Sequence, residues 1–203
     1  MQVSFTVMPA DPIRLPEALR FLTEEGRPQV EGESGSLGMS LHENADLGIA
    51  VVESFWASAA EACDAERVVA PIRGEAARHA GATVSVERFE VATLVRSVRP
   101  HPGAGLRLTR FDTDPAGLDA AVAAYADTAV PWLAEVDGFC AALLYVDRDS
   151  GRSIGETVWR DANALAASRS AAAAIRATTV RAAGSVVRVV EEYRLVWTSL
   201  GAR

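Results

Sequence analysis

Few residues in this 203-residue chain have side chains suited to chemistry: three His, two Cys, and twenty basic residues that are all Arg. His42 lies in the apolar stretch SLGMSLHE, where an imidazole titrating near neutrality suits a general base, or simply a hydrogen-bonded structural residue. Glu53, in VVESFW, is a carboxylate among apolar neighbours, and turned inward it would have a perturbed pKa. Tyr145, in CAALLYV, is a third candidate for handling a proton. Trp56 and Trp159 each close an apolar run and read as core or as pocket wall. Tyr125 and Trp132 are seven apart, on one face of a helix, and serve either a core or an aromatic ligand pocket. Arg73 and Arg176 each follow an Ile in an alanine-rich run, so their stems pack inward and their heads meet water, a carboxylate such as Glu53 or Glu156, or a ligand.

Composition narrows the classes. A net charge of -7 argues against a nucleic-acid surface, which needs a concentrated basic face. The absence of Lys removes Schiff-base chemistry and the P-loop lysine. The three His are isolated, so no metal site is predicted, and no glycine-rich loop follows a strand. Apolar runs are too short for a membrane span, and MQVSFTVMPAD has no signal-peptide pattern. With Cys63 and Cys140 far apart, the expectation is a cytoplasmic protein with reduced thiols.

These residues are arranged twice. Shifted by 103 positions, the chain matches itself without a gap from Asp11 to Val86. Asp11-Pro12 falls on Asp114-Pro115, Pro28 on Pro131, Glu53 on Glu156, and Trp56 on Trp159. Ile72-Arg73 falls on Ile175-Arg176 and Gly81 on Gly184. Matched Trp, Pro and Gly in one register mark a tandem duplication. The predicted division is 1–95, a linker over 96–105 (RSVRPHPGAG), and 106–203.

Each copy opens on a β-branched or aromatic strand, VSFTVM or LRLTRF. Asp11 or Asp114 then caps a helix in which Pro28 or Pro131 predicts a kink or stop. Two strands follow across Asn/Asp/Gly turns, the second ending on its Trp. Ser58 with Glu61, and Asp161, cap a second helix that stops at Gly81 or Gly184. A long last strand closes each copy.

The resulting order, β-α-β-β-α-β, with ESFW or ETVW ending the third strand, resembles the dimeric α+β barrel superfamily and its antibiotic-biosynthesis-monooxygenase-like domains. The resemblance implies an α+β fold in which two tandem ferredoxin-like units form an intrachain barrel, a pseudo-dimer open to further homo-oligomerisation. It implies a small-molecule pocket between sheet and helices and no bound cofactor. The leading functional expectation is a cofactor-independent, monooxygenase-like enzyme acting on a small apolar or aromatic substrate. In that reading His42, Glu53 or Tyr145 handles a proton, and Trp56, Trp159, Tyr125, Trp132, Arg73 and Arg176 hold the substrate. The alternatives are a non-catalytic ligand-binding or regulatory barrel, and a haem-degrading oxygenase dependent on His79. Neither first strand carries the Asn of the best-known oxygenase members, and the second copy has Ala182 at the position of His79.

Overall fold

The computed structural model describes residues 1–201. Each copy lays two helical segments against one face of an antiparallel sheet. In the first, strand β1 (Gln2–Pro9) leads into α1 (Leu15–Phe21) and α2 (Arg27–Glu31), then β2 (Ser36–Asn44) and β3 (Ile49–Trp56). Helices α3 (Ala59–Asp64) and α4 (Glu66–Ala80) and strand β4 (Ser85–Arg96) complete it. The second copy repeats this as β5 (Gly105–Asp112), α5 (Leu118–Ala124), α6 (Val130–Ala134), β6 (Phe139–Val146) and β7 (Arg152–Trp159). It ends with α7 (Ala162–Ala167), α8 (Arg169–Ala183) and β8 (Val186–Thr198).

Within each copy the strand order is 4-1-3-2: β4-β1-β3-β2 and β8-β5-β7-β6. This is the ferredoxin-like order expected from the sequence. Registers match as well: Glu53 lies opposite Phe5, and Glu156 opposite Leu108.

The chain forms two compact units, Met1–Arg88 with the segment from Val196 onward, and Phe89–Leu195. These limits fall inside β4 and β8, because both strands are long. Glu90–Arg96 pairs with β6, while at the chain's end the Ser199 amide donates to the Met39 carbonyl at 2.8 Å. The stretch without a strand lies between Arg96 and Gly105.

Local signals explain the helix ends. The Ser58 hydroxyl accepts from the Glu61 amide at 3.2 Å, and the Asp161 carboxylate accepts from the Ala164 amide at 2.8 Å. Gly81 and Gly184 both take φ 62°, where a Cβ would be strained. Asp114 caps a single 3₁₀ turn, Pro115–Gly117, before α5, and the Asp11 carboxylate accepts from the Ile13 amide ahead of α1.

Neither Pro28 nor Pro131 stops its helix. A π-helical turn, Leu22–Gly26 or Tyr125–Ala129, precedes it and places the proline in the first turn of α2 or α6. There its missing N–H is tolerated. The carbonyl of Glu25 is taken up by the Gln29 side chain at 2.9 Å.

Candidate functional site

Alternation along the strands sorts the sequence candidates onto two faces. On β3, Val52, Ser54 and Trp56 face the helices, while Glu53 and Phe55 face away; β7 repeats this with Gly155, Thr157 and Trp159 against Glu156 and Val158. His42 and Tyr145 lie on the faces of β2 and β6 turned away from the helices.

On that far face each copy builds a buried polar pair at equivalent positions. In the first, His42 Nε2 lies 3.0 Å from Glu53 Oε2. In the second, the Tyr145 hydroxyl donates to Glu156 Oε2 at 2.7 Å. His42, Glu53 and Tyr145 are at most 1% exposed, and Glu156 is also buried. A carboxylate this deep is tolerated only with partners, which these rungs supply. The structure thus pairs two of the proton-handling candidates, His42 with Glu53, joins the third, Tyr145, to Glu156, and turns each pair away from the helix-side cavity of its own copy.

The helix-side cavities differ between copies. The second encloses a cavity of ≈ 70 Å³ and the first one of ≈ 20 Å³, about one water. Position by position the cause is visible. Val52 and Val69 line the first cavity, and the second copy has Gly155 and Ala172 in their places. Leu22 becomes Tyr125 and Met8 becomes Phe111. Gly155 makes room for both rings: a Cβ there would stand 3.2 Å from Phe111 and 3.3 Å from Tyr125.

Tyr125 lies over this glycine, and its hydroxyl donates toward the Leu143 and Glu156 carbonyls at 3.0 and 3.1 Å. Burial, with the Glu156 charge adding to it, pushes the phenol far above its ordinary pKa. It is a fixed, neutral wall. Polar groups also line the cavity, among them the Thr113 and Ser185 hydroxyls, 2.7 Å apart.

Two arginines line the second cavity. Arg176, on α8, was a sequence candidate. Arg107, on β5, was missed, although its place in GLRLTRFD puts it on the same face as Thr109 and Phe111. That alternation, with Ser4 at the matching position of the first copy, was the available signal. Arg107 is almost fully buried and donates to the Ser168 hydroxyl at 3.0 Å, the Leu165 carbonyl at 2.9 Å, and Glu192 Oε1 at 2.8 Å. Arg73, the counterpart of Arg176, pairs with Glu66 and lines the small first cavity.

The remaining candidates lie elsewhere. Trp56 and Trp159 are buried in the helix-side cores; Trp159 donates to the Thr157 hydroxyl at 3.1 Å and meets Phe139 edge-on. Trp132 is 54% exposed and turns outward from α6. Burial pushes the Cys140 thiol up, which makes it a poor nucleophile, and Cys63 is exposed.

No protein-family model matches the chain. It is 34% identical over 158 residues to the uncharacterised protein Rv2557 of Mycobacterium tuberculosis, spanning 77% of this chain and 70% of that one. A second protein of that bacterium, the uncharacterised Rv2558, is 28% identical over 191 residues, 94% of this chain and 81% of its own. The chain belongs to the family of Rv2557. Among solved structures it resembles an anthrone oxidase-like protein (TM-score 0.70, 20% identity, 100% of this chain and 94% of that one). It also resembles a Listeria monocytogenes ferredoxin-fold protein related to antibiotic biosynthesis monooxygenases (TM-score 0.57, 10% identity, 96% and 94% covered). A third neighbour is a haem-degrading enzyme of the same species (TM-score 0.53, 8% identity, 95% and 98% covered). At these identities the likeness establishes the fold alone. That fold is the ferredoxin-like α+β unit of monooxygenase-like proteins, present twice in one chain.

The residues present do not fit a haem. His79 Nδ1 lies 3.0 Å from Glu17 and Nε2 lies 3.3 Å from Glu75, with its ring packed on Phe21. Both nitrogens are engaged at the surface end of α4, and no His lines either cavity among the described residues. No helix among those residues is long and apolar enough to cross a membrane.

Proposed function

We propose that this protein binds a small, largely apolar organic molecule in the helix-side cavity of its second copy, with the first copy as a filled twin. The observation that carries this is the difference in cavity size, produced by Gly155 and Ala172 where the first copy has Val52 and Val69. Apolar walls with a few placed polar groups are the usual make-up of a small-molecule site.

A second reading keeps the same pocket and adds oxygenase chemistry. It is favoured by the whole-chain likeness to an anthrone oxidase-like protein. Tyr145 and Glu156, the buried pair of the same copy, lie on the sheet face turned away from this cavity, so the substrate itself would have to be acidic enough to ionise there. Its anion would then supply the electrons for oxygen.

Calorimetric titration with a naphthalene-sized probe tests the binding reading. The wild type should bind, whereas Gly155→Val and Ala172→Val, folded by circular dichroism, should lose most of the affinity. Unchanged affinity in both variants would overturn the assignment. Oxygen uptake with anthrone, present in the wild type and absent in Ala172→Val, separates enzyme from binder.

A further inference from the structure

The cavity's charge is unbalanced in a way that bears on what enters it. Arg176 lines the pocket and is partly buried, and among the described residues it has neither a hydrogen-bond acceptor nor an ion-pair partner. Its twin in the first copy, Arg73, is held by Glu66, which also takes Arg88. The second copy has Arg169 at the position of Glu66, so the carboxylate that would satisfy Arg176 has become another cation. Among the described residues the one carboxylate of this cluster, Glu192, is shared by Arg107 and Arg169. Three guanidinium groups therefore stand against one carboxylate, and the unpartnered one faces the cavity.

Holding a guanidinium partly out of water without a counter-ion is unfavourable, and burial together with the nearby Arg107 charge already lowers the Arg176 pKa. A planar fork of N–H donors in an apolar pocket suits a carboxylate or an enolate- or phenolate-type oxygen, and low polarity strengthens the contact. Arg107 is less suited to this, since four of its five N–H donors are spent on Glu192, Ser168 and Leu165.

We infer that the pocket takes an organic anion, apolar in its body and carrying one acidic oxygen group, and that Arg176 receives that group. This rests on the reading that the second-copy cavity is the binding site. A matched pair of probes separates the two claims: naphthoate and its neutral isostere naphthamide, titrated calorimetrically into the wild type, Arg176→Gln, Arg176→Lys and Arg73→Gln.

The expected result is a wild-type preference for naphthoate of about tenfold or more, the scale of one charge-assisted hydrogen bond. That preference should fall to near unity in Arg176→Gln, recover in part in Arg176→Lys, and persist in Arg73→Gln. Equal wild-type binding of both probes would overturn the anion while leaving the pocket standing. Binding of neither would overturn both. A preference that survives Arg176→Gln would overturn the role of Arg176.

Discussion

Val52 and Val69 in the first copy, and Gly155 and Ala172 in the second, occupy the same places between the same kinds of helix and sheet. Around them the framework is unchanged: matched tryptophans are buried, matched π-helical turns bend the first helical segment, and matched glycines end the second. The first copy is packed nearly solid, while the second admits a cavity, roofs it with Tyr125 and leaves Arg176 facing it. Backbone and interior thus vary independently. A duplicated fold needs one set of residues to define its strands and helices, and trimming a few side chains elsewhere can create a site.

The largest effects should be equal in the two copies. Trp56→Ala and Trp159→Ala, at 1% and 0% exposure, are each expected to cost about 3–5 kcal/mol in denaturant unfolding. A much smaller loss at either would break the claim of a shared framework.

Reciprocal exchange should be unequal. Val69→Ala removes two buried methyl groups from a filled interior and should cost about 1–3 kcal/mol. Ala172→Val fills existing space and should change stability by less than about 1 kcal/mol. Equal costs would show that the second cavity collapses around its ligand-free walls.

Tyr125→Phe sharpens the contrast further. Loss of the hydroxyl that reaches the Leu143 and Glu156 carbonyls should cost about 0.5–1.5 kcal/mol and leave naphthamide affinity nearly unchanged. A large drop in affinity would make the phenol a ligand contact rather than a wall.

The smallest effect concerns acid. Glu192 is held below the usual carboxylate range by its hydrogen bond to Arg169 first, with Arg107 adding to it against the cost of burial. Glu66 is also held low: burial alone would raise it, but its bonds to Arg73 and Arg88 together outweigh that. Since both pKa values are depressed on folding, these groups stabilise the protein above the ordinary glutamate pKa. Their contribution is lost as pH falls through the lowered values. Both sites are part-exposed, so Glu66→Gln and Glu192→Gln should each flatten the acid limb of a stability profile by at most about 1 kcal/mol. Equal flattening is expected, although the clusters are built at different positions.

Much of this was legible in sequence because it depends on local rules. The duplication, the element order, the capping by Ser58 and Asp161, and the helix stops at Gly81 and Gly184 follow from residue types at fixed spacing. The helical widening at Pro28 and Pro131 was not legible, since proline reads locally as a stop and only a π turn upstream accommodates it. Arg107 was overlooked because a charge in a strand reads as solvent-facing, whereas Glu192 and Ser168, distant in sequence, make its burial tolerable.

By itself, then, the sequence determined the two α+β units and the order and ends of their elements, because periodicity and capping act over a few residues. Tertiary structure alone decided which copy keeps a cavity, which face His42, Glu53 and Tyr145 serve, and which arginine lacks a carboxylate. Space and charge balance are sums over side chains brought together from distant elements, so no single stretch of the chain contains them.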